Sequence, residues 1–378
     1  MNWKCYSLGL ALTMIAGSAY AGTQVDPERA LEMLRKQDLQ FAQQVVQSGD
    51  NVFTAIGFHG ANTSMIVGTD GVIIVDTLMG PESAANSFEA LRKFSDKPVK
   101  AIIYTHGHAD HTGGASVFAG NDNPAIYAMS NFGSAEGTTE AVGPIKLVRG
   151  VRQFGRKLSP SEATNRGTAY RDVLTWSKSV AKMATFKPEY LIPGHTLPIN
   201  GKEAATTALL DYSLGIRSVY EQTVEGINQG KSPDQIAHEV ALPAHLKNKP
   251  YLVEFYGTVP HAARAIYAGM LGWYDGNPTT LNPLAPKAKA KKIANLAGAA
   301  AKLSKSMKRA LAEKDFQWAL ELSDHLKWLD DVDKSLARKT KIAALRGLAA
   351  QEYNAPNHNY YLSYANELES GELSEVWF

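Results

Sequence analysis

The stretch Val99-Lys100-Ala101-Ile102-Ile103-Tyr104-Thr105-His106-Gly107-His108-Ala109-Asp110-His111-Thr112-Gly113-Gly114 decides how this chain is read. Its first six residues are short, apolar and β-prone behind Pro98, which makes them a buried strand. Three imidazoles and one carboxylate follow within six residues, so the cluster sits at a strand's end. In a loop there, alternate side chains turn toward one point, while Gly107, Gly113 and Gly114 let the backbone pass closely and start a helix. Imidazole with carboxylate is the ligand set of a borderline-soft divalent cation, zinc first, with iron or manganese behind it. Four ligands in so short a run suggest two metals. A polar loop of hydrogen-bonded histidines is the plainer alternative. It usually holds for one histidine, but H-x-H-x-D-H behind a buried strand favours a metal.

Upstream, residues 51–58, 64–67 and 72–76 are short β-prone runs, the last two joined by Gly68-Thr69-Asp70-Gly71, which is hairpin chemistry. Asp76 closes the second of these strands. Residues 81–94 form an amphipathic helix before the strand at 99–104, so a ββ hairpin gives way to a β-α-β crossover. Residues 23–50 read as a helical lead-in. The chemistry therefore lies at a strand C-terminus, as open α/β sheets favour.

Downstream, residues 125–129 suit another strand, 131–155 are rich in Gly, Thr and Val, and 154–167 read as a solvated loop. A helix at 171–184 and a brief strand at 190–192 lead to the tight turn Pro193-Gly194-His195-Thr196-Leu197-Pro198. A lone histidine in a turn is usually structural. This one again follows a buried strand, so His195 is read as a further metal ligand. From Ala204 onward the chain is nearly all helix: residues 203–229, 233–240, 261–271, 285–311, 316–329 and 332–352. The last two suggest an antiparallel pair of tetratricopeptide type with Trp318, Ala319, Leu322 and Leu326 as the apolar stripe, although one pair alone cannot make a solenoid. Residues 285–352 hold fifteen Lys/Arg against eight Asp/Glu. That surplus reads as a solvated basic face, with attraction of anionic surfactant as the alternative.

With 378 residues, 44% hydrophobic and 20% charged, the chain has room for two or three domains. Its net charge of +2 leaves no nucleic-acid footprint. Residues 1–21 carry Lys4, an apolar core at 8–16 and the small-residue site Ala19-Tyr20-Ala21, a secretory signal that implies a periplasmic or secreted protein. That core is too short to span a bilayer, and no membrane span is expected elsewhere. Cys5, the only cysteine, lies inside the signal, so disulfides and cysteine-type zinc sites are excluded from the mature chain.

The His106-x-His108-x-Asp110-His111 cluster resembles that of the metallo-β-lactamase superfamily, which alone leaves lactonases, thioesterases and nucleases open. Two later segments narrow it: Phe255-Tyr256-Gly257-Thr258-Val259-Pro260-His261-Ala262-Ala263-Arg264-Ala265-Ile266-Tyr267, and Leu271-Gly272-Trp273-Tyr274-Asp275-Gly276-Asn277-Pro278. These look like the secreted alkyl sulfatases that cleave surfactants such as dodecyl sulfate. Arg171-Asp172 to Ser177-Lys178 and His195 to Gly201 are similar to that family too, and the likeness runs from about residue 40 to residue 368. It implies a signal at 1–21, an αββα metallo-β-lactamase sandwich over 22–203, an all-α dimerisation domain over 204–370 and a tail at 371–378. It also implies a homodimer acting on a small alkyl sulfate.

By the same resemblance Asp110, His111 and His195 hold one zinc of a pair, and His106 and His108 hold the other. His261, Arg171, Arg166 and Tyr274 bind the sulfate, since a dispersed anion wants cationic and hydroxyl donors. The metal-bound water, rather than a side chain, attacks the ester. The sequence departs from the family pattern in two places. It stops where the dimerisation domain ends, so no lipid-transfer-like domain is expected. In the middle, Asn165-Arg166-Gly167 runs straight into Thr168-Ala169-Tyr170-Arg171-Asp172 like the seam of a deletion, and the family's acidic metal ligand and bridging carboxylate are both missing. The sandwich should then be incomplete, with about one tightly held zinc by ligand count and slow turnover unless Glu136, Glu140, Glu162 or another carboxylate substitutes. A lactonase-like hydrolase and a non-catalytic dimerising remnant are the competing readings.

Overall fold

The structure is a computed structural model describing residues 23–130, 132, 151–153 and 172–371. Six strands run in chain order across one sheet: β1 Gln44–Ser48, β2 Val52–Ile56, β3 Thr63–Val67, β4 Val72–Val75, β5 Val99–Ile103 and β6 Ala125–Tyr127. The first four pair antiparallel because short turns join them, and Gly68 N–H bonds the Gly71 carbonyl (2.8 Å) at the β3–β4 hairpin. The pairing of β4, β5 and β6 is parallel, as helical crossovers require. The first crossover contains α2 (Pro81–Arg92). The second contains α3 (Ala109–Thr112) and α4 (Ala115–Ala119), which begin where β5 ends.

Ala84 and Leu91 of α2 and Phe118 of α4 pack with Phe53, Met65, Ile74 and Ile102, the inward members of four strands, into a core with almost no solvent contact. A second, two-stranded sheet follows, with β7 Tyr190–Leu191 and β8 Ile199–Asn200 on either side of the 193–198 turn. Ser48 Oγ of β1 donates to Asn200 Oδ1 (3.3 Å) and ties this hairpin to the large sheet. Its two strands are all that the described residues hold of a second sheet.

The other described elements are helical. Serines at a close crossing join α5 (Val173–Thr185) to α6 (Lys202–Asn228): Ser177 Oγ and Ser213 Oγ each donate to the other's backbone carbonyl, at 3.0 and 2.8 Å. Next come α7 (Pro233–Glu239), α8 (Val259–Leu271), α9 (Pro278–Leu281), α10 (Pro286–Leu296), α11 (Ala300–Ala312), α12 (Phe316–Leu326), α13 (Lys334–Gln351) and α14 (Ala355–Ser370). Three apolar clusters hold them, centred on Ile236 and Ile266, on Met307 and Leu322, and on Leu345 and Leu348. Among the described residues no helix is long and apolar enough to cross a membrane.

The structure corrects three expectations and adds one helix. The lead-in is helical only over α1 (Pro27–Asp38) and a 3-10 turn at Leu39–Phe41; from Gln44 it is β1, because pairing with β2 in register outweighs local propensity. The single helix expected at 285–311 breaks at Gly298, whose φ of 94° is left-handed, and the reversal lets Ala290 and Ala294 of α10 share a core with Leu303 and Met307 of α11. Trp318 is 45% exposed, at the edge of the buried stripe of Ala319, Leu322 and Leu326, whose centre lies about 70° around the helix. Helix α14 was not anticipated, although Asn354 caps it, Pro356 lies in its first turn and Gly371 ends it in the left-handed region. The expectations for residues 1–21, for most of 131–167, and for Arg166, Arg171, Glu136, Glu140 and Glu162 lie outside the described residues.

A buried polar knot ties the lead-in to the helical layer. Val25 N–H bonds the Gln351 carbonyl (2.8 Å), and the Thr23 hydroxyl donates to Glu352. The Glu352 carboxylate also accepts from Asn354 N (2.9 Å) and Asn357 Nδ2 (3.1 Å), while Asn354 Nδ2 donates to the Glu254 carbonyl (2.8 Å). Burial pushes the Glu352 carboxyl above the usual range, and the same cause raises Glu254. A raised folded-state pKa adds stability below the unfolded value, about 4.3, that is lost as pH rises through the folded value. Glu352→Gln should therefore lose less stability than the parent between pH 4 and 7, read by urea unfolding at both pH values. Equal losses in both proteins would show that Glu352 is not strained by ionisation.

Candidate metal centre

The strand ends bring the ligands together. After Val75 the chain turns through Asp76 and Leu78, both with left-handed φ (59° and 61°), and Thr77 N–H bonds the His111 carbonyl (2.7 Å). The 77–80 loop can lie this close to α3 only because Gly113 and Gly114 lack side chains. A Cβ at Gly113 would stand 1.9 Å from the Met79 oxygen, and one at Gly114 would stand 2.3 Å from the Thr77 oxygen. Gly107, by contrast, would bring a Cβ only into ordinary contact with Phe132 at 3.6 Å.

Asp76 is the pivot. It is 2% exposed, yet its carboxylate accepts three bonds: Oδ1 from Thr105 N (2.9 Å), and Oδ2 from Thr105 Oγ1 (2.8 Å) and His111 Nδ1 (2.7 Å). With a carboxylate as partner, His111 Nδ1 carries the ring proton and Nε2 is left with a lone pair. That Nε2 is buried without a hydrogen-bond partner and lies 3.3 Å from Asp110 Oδ2. Two lone pairs facing each other in a buried pocket repel unless a cation or proton stands between them. The charge of Asp76 is also felt at Tyr104, whose hydroxyl is held above its usual pKa first by burial and then by Asp76.

His195 completes the group. Its Nδ1 lies 2.6 Å from the Gly60 carbonyl, an acceptor only, so here too Nδ1 holds the proton and Nε2 the lone pair. Ligand atoms of Asp110, His111 and His195 all lie within 4.8 Å of one another, and among the described residues this is the one such group of three. Two imidazoles and a carboxylate, each imidazole bonded outward through Nδ1, are the donor set and outer support of a zinc-type site with a fourth position left for water. The residues present fit a divalent cation.

Of the other expected site residues, His106 and His108 adjoin this group, and His261 and Tyr274 are described by their own helix and loop. His106 and His108 face each other, Nε2 to Nδ1 at 2.9 Å, with the His106 ring 4.1 Å from that of His111. His261 stands in the first turn of α8, where its amide bonds the capping Thr258 hydroxyl (3.2 Å); desolvation first and Arg264 second lower its imidazole pKa. Tyr274 packs beside Trp273, ring centroids 5.6 Å apart, and Trp273 is 78% exposed. Asp76 was recognised in the sequence only as a strand end. The signal that could have found it is an acid directly after the apolar run Val72-Ile73-Ile74-Val75, since a carboxylate entering a core needs a partner.

Removing that partner has a measurable consequence. Asp76→Ala should weaken binding of a divalent metal ion at this group by about 10- to 100-fold, the usual effect of losing an outer partner of a metal-bound histidine. Competition with a chromophoric chelator reads it, and unchanged affinity in a folded variant would free His111 from Asp76.

Comparison with known proteins agrees with this geometry. Residues 56–152 match the metallo-beta-lactamase superfamily and residues 232–371 match the alkyl sulfatase dimerisation family. A linear primary-alkylsulfatase of Pseudomonas sp. (strain ATCC 19151) is 31% identical over 388 aligned positions, covering 81% of this chain and 73% of that protein. An alkyl/aryl-sulfatase of Saccharomyces cerevisiae is 27% identical over 85% of this chain and 63% of its own length. This chain spans 60 to 73% of the length of the curated alkylsulfatases it matches along most of its length. In fold it resembles the stereoselective inverting sec-alkylsulfatase Pisa1 from Pseudomonas sp., with a TM-score of 0.79, 23% identity, and coverage of 93% of this chain and 73% of that one. From the strand-end histidine cluster to the helical layer, then, this chain belongs to the alkyl sulfatase family of the metallo-β-lactamase superfamily.

Proposed function

We propose that this protein is a zinc-dependent hydrolase of linear alkyl sulfate esters, surfactants such as dodecyl sulfate, releasing the alcohol and sulfate. The observation that carries the metal reading is the 3.3 Å approach of Asp110 Oδ2 to His111 Nε2 in a buried site that also includes His195. The alkylsulfatase relatives carry the substrate reading. A divalent cation in such a site supplies a Lewis acid and a water of lowered pKa. The protein's own share is to keep the ring protons of His111 and His195 on Nδ1, facing Asp76 and Gly60, so that both Nε2 atoms stay available. His261, Arg171, Arg166 and Tyr274 are proposed to hold the sulfate group, where cationic and hydroxyl donors suit a dispersed anion.

His106 and His108 supply two imidazoles to a second position, and among the described residues no carboxylate groups with them to make a third ligand. The alignment supports a shortened chain. Its 388 positions exceed what 81% of a 378-residue chain can fill, so the Pseudomonas relative carries residues with no counterpart here. The pairing of two imidazoles with each other favours a second reading, a dimerising remnant without turnover. A homodimer is proposed from the dimerisation match, supported by exposed Leu271, Trp273 and Leu296. Export to the periplasm or medium is proposed from residues 1–21. Intact mass and sedimentation of exported protein read both.

Elemental analysis together with sulfate release from dodecyl sulfate tests the proposal. The parent should hold about one zinc per chain, following the ligand count, and release sulfate measurably but far more slowly than an intact relative. His195→Ala should remove the metal retained through purification, leaving only weak residual affinity, and with it the activity, whereas His106→Ala should leave the zinc content near that of the parent. Two zinc ions with brisk release would show that a carboxylate such as Glu136, Glu140 or Glu162 completes the second position. No release at all from zinc-loaded protein would leave the dimerising remnant.

A further inference from the structure

His195 is the ligand with the least local support. It projects from a tight turn between two strands of two residues each, separated in sequence from the rest of the cluster, and Thr196 beside it has a left-handed φ of 70°. A two-stranded hairpin is marginal by itself and cannot fix a side chain to the tolerance a metal shell needs. The support comes from the loop between β2 and β3. Asn62, 4% exposed, spends its whole donor capacity on this turn: its backbone N–H bonds the Gly194 carbonyl (2.8 Å), and its Nδ2 bonds the carbonyls of Pro193 (3.0 Å) and Thr196 (2.8 Å). Two residues earlier, the Gly60 carbonyl takes the proton of His195 Nδ1 (2.6 Å). One short loop therefore fixes both the backbone that carries His195 and the tautomer of its ring. The loop is itself anchored, since Thr63 directly after it donates through Oγ1 to the Asp76 carbonyl (2.6 Å), next to the group that orients His111.

We infer that Asn62 is the positioning residue for the His195 metal ligand, clamping the 193–196 turn so that His195 Nε2 meets Asp110 and His111. The inference rests on the metal reading of these three residues. A side-chain amide that donates to two carbonyls of one turn has no apolar substitute. Alanine would leave the Pro193 and Thr196 carbonyls without these donors, and aspartate would face them with like charge.

The test compares Asn62→Ala with Thr54→Val, a control in the same sheet that breaks the buried Thr54–Ser64 hydroxyl bond (2.9 Å) without touching the turn. Zinc affinity is read by chelator competition in the full chain, along with the visible spectrum of the cobalt(II)-loaded protein. Asn62→Ala should weaken zinc binding by about 10- to 100-fold and alter the cobalt spectrum, as loss of outer-shell support does, while Thr54→Val leaves both unchanged. In a His195→Ala background Asn62→Ala should cost nothing further, because the clamp acts only through that ligand. In metal-free protein the downfield proton signal of His195 Nδ1 should be lost in Asn62→Ala. Equal weakening by both variants, or additive effects of Asn62→Ala and His195→Ala, would overturn the inference. A parent that binds no zinc would overturn the metal reading instead and leave the proton signal to decide the positioning.

Discussion

A single buried carboxylate holds the centre of this molecule together. Asp76 closes β4, takes two bonds from Thr105 at the end of β5 and one from His111 at the start of the next crossover, so three chain segments converge on it. Burying an unpaired carboxylate costs several kcal/mol, and here the cost is offset by three donors. The same arrangement decides the chemistry. With the proton of His111 committed to Asp76, its other nitrogen points at Asp110 as a lone pair, and the pocket becomes complementary to a cation.

Around that pivot the site is divided between parts of unequal rigidity. Asp110 and His111 lie on a helix start packed tightly against the 77–80 loop, where even one methyl group has no room. His195 comes from a small hairpin and depends on contacts from Gly60 and Asn62 to reach the same point. His106 and His108 are partly exposed and satisfy each other. The expected order of metal affinity follows the ligand sets: two imidazoles bonded outward and a carboxylate on one side, two imidazoles without an acid on the other.

Much of this was legible before the fold was known. The apolar run ending in H-x-H-x-D-H placed a ligand cluster at the end of a parallel strand, and periodicity located β2 to β5, α2 and most of the later helices. What escaped notice depended on contacts distant in sequence. Residues 44–48 become a strand only because β2 lies beside them. Gly298 divides a helix because reversing the chain buries two apolar faces in one core. Asp76 and Asn62 look like an ordinary strand end and an ordinary turn residue. Their roles come from partners 35 and more than 130 positions away, which no local pattern encodes. Arg166 and Arg171, drawn from family likeness alone, fall outside the described residues.

The central claim is that one metal sits among Asp110, His111 and His195. X-ray absorption at the zinc edge of the loaded protein tests it directly. The account predicts a single four-coordinate zinc with two imidazole nitrogens at about 2.0–2.1 Å, the remaining light atoms being oxygen. A metal–metal vector at about 3.5–4 Å, the spacing of paired-metal sites, or a shell with three or more imidazoles would contradict it.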